Sequence, residues 1–109
     1  MKKRVMIFAL FISFTSSAAS FDCTKAKSAD EKAVCANLAL NDKDVEMTTT
    51  YRLLRGLFAM GVQGDMQDAQ RAWLNNRRQC GGDITCLTNA YNSRLQQLNT
   101  MYRAINKPL

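Results

Sequence analysis

Cysteine is the residue type with the richest chemistry in this 109-residue chain, and its four copies are Cys23, Cys35, Cys80 and Cys86. A zinc site is not expected, because the chain has no histidine and no cysteine pair has the short C-x-x-C spacing. A nucleophilic cysteine is not expected either, because no histidine is present to act as its base. An even number of cysteines instead predicts two disulfides if the chain reaches an oxidising compartment.

Three disulfide pairings are open in principle. We favour the local pairing, Cys23 with Cys35 and Cys80 with Cys86, because it closes two short loops. Chain-entropy arguments assign each bond about 2.5–3 kcal/mol of stability. Together the two bonds would rival the net stability of a small domain.

Carboxylates are the remaining candidates for acid–base catalysis, since the chain lacks histidine. Most of them have a structural explanation at predicted helix N-termini, where negative charge is favourable: Asp30, Glu31, Asp42, Asp65 and Asp83. Asp44 and Asp68 are less well explained, but no spacing indicates the paired carboxylates of a glycosidase. We therefore expect no catalytic residue, no metal, no cofactor and no enzyme activity.

The start of the chain has the three-part pattern of a secretory signal peptide. Residues 2–4 are basic, residues 5–14 are apolar, and Ser17-Ala18-Ala19 is a small-residue cleavage site. The apolar run is too short to span a bilayer. Asp22 precedes Cys23, whereas a lipoprotein signal would need a small residue before the cysteine.

Removal of residues 1–19 is predicted to leave one domain at residues 20–109 with no membrane anchor. We expect this domain in the periplasm if the organism has an outer membrane, and secreted otherwise, and either location permits disulfides. Loss of Lys2, Lys3 and Arg4 lowers the formal net charge from +6 to +3. This mild positive balance argues against a nucleic-acid partner.

Helical periodicity runs through the whole predicted domain, so the fold is predicted to be all-α. Ser28 and Glu31 have the spacing of a capping box, which predicts a short helix running through Cys35. Asn41 or Asp42 is predicted to cap a second helix. The apolar stripe of that helix consists of Met47, Tyr51, Leu54 and Phe58.

Glycines set the predicted boundaries of the later helices. Gly61 and Gly64 are predicted to end the second helix, and Asp65 to cap the third. The Gly81-Gly82 pair is predicted to end the third helix, and a fourth helix of about six turns follows. Short connections favour a small antiparallel helical bundle, with three longer helices and a short N-terminal helix, stapled by two disulfides.

Arg77 is the basic residue whose role is hardest to assign from sequence, since it lies four residues after Trp73 on the same helix face. Its guanidinium either pairs with a buried carboxylate such as Asp44 or projects into a partner, and both alternatives stay open. Arg78 fits a solvated face. The aromatic residues fit core packing, and Tyr102 is the one most expected to be exposed.

A pattern of polar, aromatic and cysteine residues follows the predicted helices. Its most specific segments are Gln70-Arg71-Ala72-Trp73-Leu74 with Arg77 and Cys80, then Cys86-Leu87, Ala90-Tyr91 and Arg94. Glu31, Asp44 and Tyr51 belong to the same pattern nearer the start of the domain. The pattern resembles the lysozyme inhibitor LprI-like domain family over nearly all of residues 20–109.

The resemblance implies a helical, disulfide-bonded bacterial envelope domain, and the family takes its name from members that inhibit lysozyme. It also implies that the motif side chains are structural or binding residues: Glu31, Asp44, Tyr51, Gln70, Trp73, Arg77, Tyr91 and Arg94. The chain lacks the lipobox that tethers some members. What is implied is a non-catalytic module that acts by binding a protein.

Three functions are compatible with such a module. The first is an inhibitor that occludes the active site of lysozyme or of another peptidoglycan-degrading enzyme. The second is a periplasmic immunity protein that neutralises a secreted bacterial toxin. The third is an envelope interaction module with no enzyme target. The first is our leading hypothesis.

A cationic animal lysozyme would be attracted by negative charge, and a domain with net charge +3 offers no long-range attraction. A local acidic patch would then have to supply it. Two candidate patches are Asp42 with Asp44 and Glu46, and Asp65 with Asp68 in the predicted glycine-flanked loop. Arg78 and Tyr102 are further candidate contact residues.

Overall fold

Four α-helices make up most of the chain that the computed structural model describes, residues 19–105. The helices are α1 (Ala29–Ala36), α2 (Leu38–Arg55), α3 (Met60–Gln79) and α4 (Ile84–Ala104), and a 3₁₀ turn at Cys23–Lys25 precedes them. No strand occurs within residues 19–105, and the predicted all-α class is confirmed. Residues 1–18, which hold nearly all of the predicted signal peptide, and residues 106–109 lie outside the described residues.

The contacts between α2 and α3 show that the two helices run in opposite directions. Arg77, near the end of α3, lies 3.7 Å from Asp44 in the first half of α2. Gln70, earlier in α3, contacts Met47 further along α2. Later residues of α2 therefore contact earlier residues of α3, which shows that the two helices are antiparallel.

The contacts between α2 and α4 advance together. Lys43 of α2 donates to Asn92 of α4 at 2.8 Å, and further along both helices Leu54 and Asn99 line one groove. The two helices are therefore parallel, with α3 running in the opposite direction. The predicted small bundle of three longer helices and one short helix is confirmed.

Asn37 is the residue at which α1 ends and α2 begins. Its Oδ1 accepts a hydrogen bond from the backbone N–H of Leu40 at 3.1 Å, which satisfies one free donor of the first turn. The prediction that Asn41 or Asp42 caps α2 is wrong, because both lie inside the helix. The apolar stripe alone did not reveal that α2 extends back to the end of α1.

Ser28 occupies the predicted cap position of α1, but the capping box itself does not form. The Ser28 hydroxyl donates to Glu31 Oε1 at 2.7 Å, and the Ser28 side chain makes no hydrogen bond to a backbone N–H. The two residues therefore bond to each other rather than to the backbone. The predicted start of the helix is correct, and the helix runs through Cys35 as predicted and ends at Ala36.

The junction between α2 and α3 lies earlier than the glycine pattern predicts. Arg55 is the last residue of α2, Gly56 follows as its C-cap, and α3 begins at Met60. Gly61 and Gly64 lie inside α3 without positive φ angles, so the prediction that they end α2 is wrong. Glycine lowers helix stability by about 1 kcal/mol without forbidding a helix, and packing of α3 offsets this cost.

The predicted glycine-flanked loop is consequently absent, and both of its acidic residues lie on a helix. Asp65 is an interior residue of α3 rather than its cap, and Asp68 lies one turn further along. Ala59 occupies the N-cap position and makes no side-chain hydrogen bond there. A partner that approaches Asp65 and Asp68 would meet a helical surface.

The corner between α3 and α4 agrees with prediction. Gly81 has φ 56°, a left-handed conformation that favours glycine. Asp83 Oδ1 accepts a hydrogen bond from the backbone N–H of Cys86 at 3.1 Å and caps α4. A disulfide between Cys80 and Cys86, with Cα atoms 5.5 Å apart, closes the corner.

The second disulfide joins Cys23 to Cys35, with Cα atoms 5.8 Å apart. It ties the segment before α1 to the end of α1. The local pairing of all four cysteines is thereby confirmed, and no cysteine within residues 19–105 is free.

The apolar core lies between the helices and receives side chains from all four. Its fully buried members are Val34, Leu40, Met47, Leu87, Tyr91 and Leu98. No helix within residues 19–105 is long and apolar enough to cross a membrane.

Candidate functional site

A cluster of charged and polar side chains lies in the core, with one member from each helix: Asp30, Asp44, Arg77 and Tyr91. Arg77 Nε donates to Asp30 Oδ2 at 2.8 Å, and Arg77 Nη1 lies 3.7 Å from Asp44 Oδ1. The Tyr91 hydroxyl accepts from Arg77 Nη1 at 3.1 Å and donates to Asp44 Oδ1 at 2.8 Å. We call these four residues the Arg77 cluster.

The protonation states in the Arg77 cluster follow from burial and from neighbouring charges. Burial opposes the ionisation of Asp30, but the hydrogen bond from Arg77 and the positive charge of its guanidinium hold the Asp30 pKa below its usual value. Burial and the Asp44 carboxylate raise the pKa of Tyr91, so its phenol keeps the proton that it donates. Arg77 remains charged, because contacts with Tyr91 and Asp30 raise its pKa despite burial.

Aromatic rings enclose the guanidinium of Arg77. Its central carbon lies 5.5 Å from the ring centroid of Phe21 and 5.7 Å from that of Trp73. Trp73 packs edge-on against Tyr91 with ring centroids 4.9 Å apart, and its indole N–H donates to the Ala90 carbonyl at 2.9 Å. The rings exclude water from the cluster and add cation–π attraction.

A second polar network lies beside the cluster, one turn or two further along the bundle. Arg94 Nε donates to Gln70 Oε1 at 3.0 Å, and Gln70 Nε2 contacts the Met47 sulfur at 3.2 Å. Arg94 also donates to Gln97 Oε1 at 3.1 Å. Burial lowers the pKa of Arg94, while an electrostatic interaction with Tyr51 acts in the opposite direction. This network joins α3 to α2 and α4.

The predicted motif residues are thus mostly interior. Asp44, Tyr51, Trp73, Arg77, Tyr91 and Arg94 are buried, and Gln70 and Glu31 are partly buried. Of the two roles considered for Arg77, pairing with a buried carboxylate is the one observed. Their interior position explains the motif as a set of contacts that fix the helices relative to one another. No group of residues within 19–105 has an arrangement that could hold a metal ion.

The other predicted surface residues remain exposed but are not gathered into one site. Asp65, Asp68 and Arg78 are exposed on α3, where Asp68 lies 3.9 Å from Arg71 in a solvent-exposed ion pair. The prediction that Asp42, Asp44 and Glu46 form an acidic surface patch is wrong for Asp44. Asp44 is 0% exposed, because its carboxylate serves the Arg77 cluster.

An apolar groove lies between the C-terminal parts of α2 and α4. Its volume is about 230 Å³, and its lining consists of Thr50, Leu53, Leu54, Leu57, Asn99 and Tyr102. Tyr102 is 48% exposed, as predicted. Leu53 and Leu57 are exposed and lie off the predicted apolar stripe of α2. Because these two leucines lie outside that stripe, the sequence could have predicted an exposed apolar surface here.

Asp30 is the functional residue that sequence reasoning missed. Its place in the first turn of α1 offered a sufficient explanation for its charge. It is nevertheless 1% exposed and forms the shortest ion pair of the cluster. Asp30 and Glu31 are adjacent acidic residues in the first turn of α1. Nothing in the sequence indicates which of the two carboxylates turns inward.

Comparison with known proteins gives the family of this chain. A family model described as "Lysozyme inhibitor LprI" matches residues 23–84, more than half of the chain. The chain belongs to the LprI family. No curated protein and no solved structure matches it.

The LprI match covers α1, α2 and α3 and ends at Ile84, the first residue of α4. It therefore includes three members of the Arg77 cluster, and Tyr91 on α4 lies beyond it. The hydrogen bonds of Tyr91 with Arg77 and Asp44 join α4 to the LprI-matched helices. The LprI family description is that of a lysozyme inhibitor and names no catalytic activity.

Proposed function

We propose that this LprI family member is an exported, periplasmic inhibitor of a lysozyme or of another peptidoglycan-degrading enzyme, and that it acts by covering the active site of that enzyme. The family match over residues 23–84 carries the proposal. The interior geometry supports a rigid binding module, because the Arg77 cluster uses its charged groups to join helices. Rigid surfaces bind with a smaller loss of conformational entropy.

The first half of α3 is the inhibitory surface that we propose. Gly61 and Gly64 lie in this helix, where interior Gly64 costs about 1 kcal/mol relative to alanine and Gly61, in the first turn, costs less. Neither glycine has a positive φ, and a Cβ atom at either position would meet nothing within 4 Å. No contact within residues 19–105 therefore requires glycine. A helix face without side chains instead lets a partner approach the backbone closely.

Charge and apolar surface beside these glycines fit a cationic enzyme. Asp65 and Asp68 are exposed on the same half of α3 and supply local negative charge on a domain that is basic overall. Met60, 86% exposed, and Val62, 38% exposed, supply apolar area. The ion pair of Asp68 with Arg71 is exposed and weak, so a partner can replace it.

Inhibition assays test both the function and the surface. Purified protein lacking residues 1–19 should slow the clearing of a bacterial cell-wall suspension by at least one class of lysozyme, as a one-to-one complex. Asp68→Lys should weaken the inhibition constant at least about tenfold, because it places a positive charge against a cationic enzyme.

Asp42→Lys is the matched control, because it makes the same charge change at an exposed position of α2. Absence of inhibition at micromolar excess over lysozymes of several types would contradict the proposed function. Equal losses in the two lysine variants would instead show that net charge matters and that the first half of α3 is not the contact surface.

A further inference from the structure

The Arg77 cluster carries more negative than positive charge. Asp30 and Asp44 are 1% and 0% exposed, and Arg77 is the one side chain within residues 19–105 that forms an ion pair with either of them. Tyr91 contributes no charge, since its raised pKa keeps the phenol protonated. Two carboxylates against one guanidinium leave one buried negative charge, and unpaired buried charges are strongly destabilising.

The backbone nitrogen of Ser20 occupies the position from which that charge could be balanced. It lies 2.6 Å from Asp44 Oδ2, the carboxylate oxygen that Tyr91 does not use. The neighbouring Phe21 helps to hold this nitrogen in place, because the centroid of its ring lies 5.5 Å from the central carbon of the Arg77 guanidinium. In the uncleaved chain this nitrogen is a neutral amide.

We propose that the chain is cleaved between Ala19 and Ser20, and that the new α-ammonium group of Ser20 is the second cation of the Arg77 cluster, paired with Asp44. Ser17-Ala18-Ala19 is the small-residue site expected for this cleavage. Water hydrolyses the Ala19–Ser20 peptide bond, the carboxylate leaves with Ala19, and the amine stays on Ser20. Free α-amino groups have a pKa of about 8, so the amine takes up a proton at neutral pH.

The cleavage changes the charge of the nitrogen that faces Asp44. The nitrogen already lies within hydrogen-bond distance of Asp44, so a neutral N–H donor becomes a charged one in place. Hydrogen bonds from charged donors contribute more stability than neutral ones. The sum over Asp30, Asp44, Arg77 and the ammonium becomes zero. Processing of the exported chain thereby completes its core, a step that rests on export but not on the inhibition of any enzyme.

Chain starts that differ by one residue provide the test. A protein that begins at Ser20 is compared with one that carries an extra glycine before Ser20, which returns the nitrogen to an amide. The extension should raise the unfolding equilibrium constant about tenfold, as measured by denaturant titration. Equal stability of the two proteins would overturn the proposal.

The Asp44→Asn variant, made with both chain starts, separates the ion pair from other effects of the extension. The extra glycine should change the stability of this variant far less than that of the protein with Asp44. An equal loss in both backgrounds would show that the extension acts sterically and would overturn the ammonium–Asp44 pair.

Two measurements avoid any dependence on the folding of the Asp44 variant. Mass spectrometry of the protein exported with its own leader should find Ser20 as the first residue, and any other start would overturn the proposal. At neutral pH, an acylating reagent should modify the α-amine of the folded protein at least about tenfold more slowly than that of the urea-unfolded protein. Equal rates would show that the amine is free in solution.

Discussion

Arg77 is the single side chain on which the relative positions of the helices depend most directly. It pairs with Asp30 of α1 and Asp44 of α2, and it donates to Tyr91 of α4. Since Arg77 itself belongs to α3, four helices meet at one guanidinium. Removing Arg77 leaves two buried carboxylates without their side-chain cation. The resulting loss of folding stability is larger than the stability that the ion pairs contributed.

Arg77→Met should therefore lower the free energy of unfolding by about 3–5 kcal/mol, because the side-chain volume is kept while the charge is lost. Denaturant unfolding followed by circular dichroism measures the change. Arg78→Met is the matched control, since Arg78 is the exposed neighbour on the same helix and its loss should cost no more than about 0.5 kcal/mol. Similar small effects in both variants would contradict the role of the cluster.

The chemistry of the cluster was only partly predictable from the sequence. The spacing of Trp73 and Arg77 placed the arginine on an inner face and allowed a pair with Asp44, but it equally allowed contact with a partner. Asp30 gave no signal, because an acidic residue in the first turn of a helix is favourable even when it is exposed. Which carboxylate turns inward depends on the packing of α1 across α3, a long-range contact.

The third helix illustrates the conflict between local preference and overall packing. Its first turns contain Gly61 and Gly64, which predicted a loop, yet the helix is continuous from Met60 to Gln79. Gly56 and Gly81 are the glycines that do follow helix ends, and of these Gly81 alone adopts a positive φ. The role of the Gly81-Gly82 pair was predictable from the sequence, whereas the continuation of α3 through Gly61 and Gly64 was not.

Replacing Gly64 by alanine should stabilise α3 by about 1 kcal/mol, and replacing Gly61, in the first turn, should stabilise it by less, because alanine is the better helix former and the new methyl groups meet open space. The same variants should inhibit the target enzyme less well, since the methyl groups occupy the proposed contact face. Thermal denaturation and the inhibition assay measure the two effects.

Gly81→Ala is the control for this prediction, because φ 56° is unfavourable for alanine and the substitution should destabilise the protein. Alanine at positions 61 and 64 that left both stability and inhibition unchanged would argue against α3 as the contact surface. A gain in stability with full inhibition would leave the helix propensity argument intact and would exclude that surface.

At the scale of the whole molecule, two covalent links compensate for a small core. A domain of about ninety residues buries a modest fraction of its surface, so its apolar core alone is marginal. The Cys23–Cys35 bond closes off the entry segment, and the Cys80–Cys86 bond closes the corner between α3 and α4. The all-α class and this local pairing were predictable, because apolar periodicity and loop length both depend on neighbouring residues.

Reduction of the disulfides should lower the melting temperature by more than about 10 °C, since each bond contributes about 2–4 kcal/mol and each kcal/mol shifts the melting temperature of a domain this size by about 4–8 °C. Calorimetry with and without a phosphine reductant measures the shift. A variant with Cys80 and Cys86 both replaced by alanine should respond to the reductant less strongly. An unchanged melt of the native protein would show that the cysteines are not bridged in solution.

Trp73 is the single tryptophan of the chain, and it lies where α3 meets α4. Its indole donates to the Ala90 carbonyl, and its ring packs edge-on against Tyr91. Fluorescence from this one residue will shift to longer wavelength as soon as water reaches that seam. The molecule thus contains its own optical reporter, so that opening of the bundle can be followed in real time without attaching a dye.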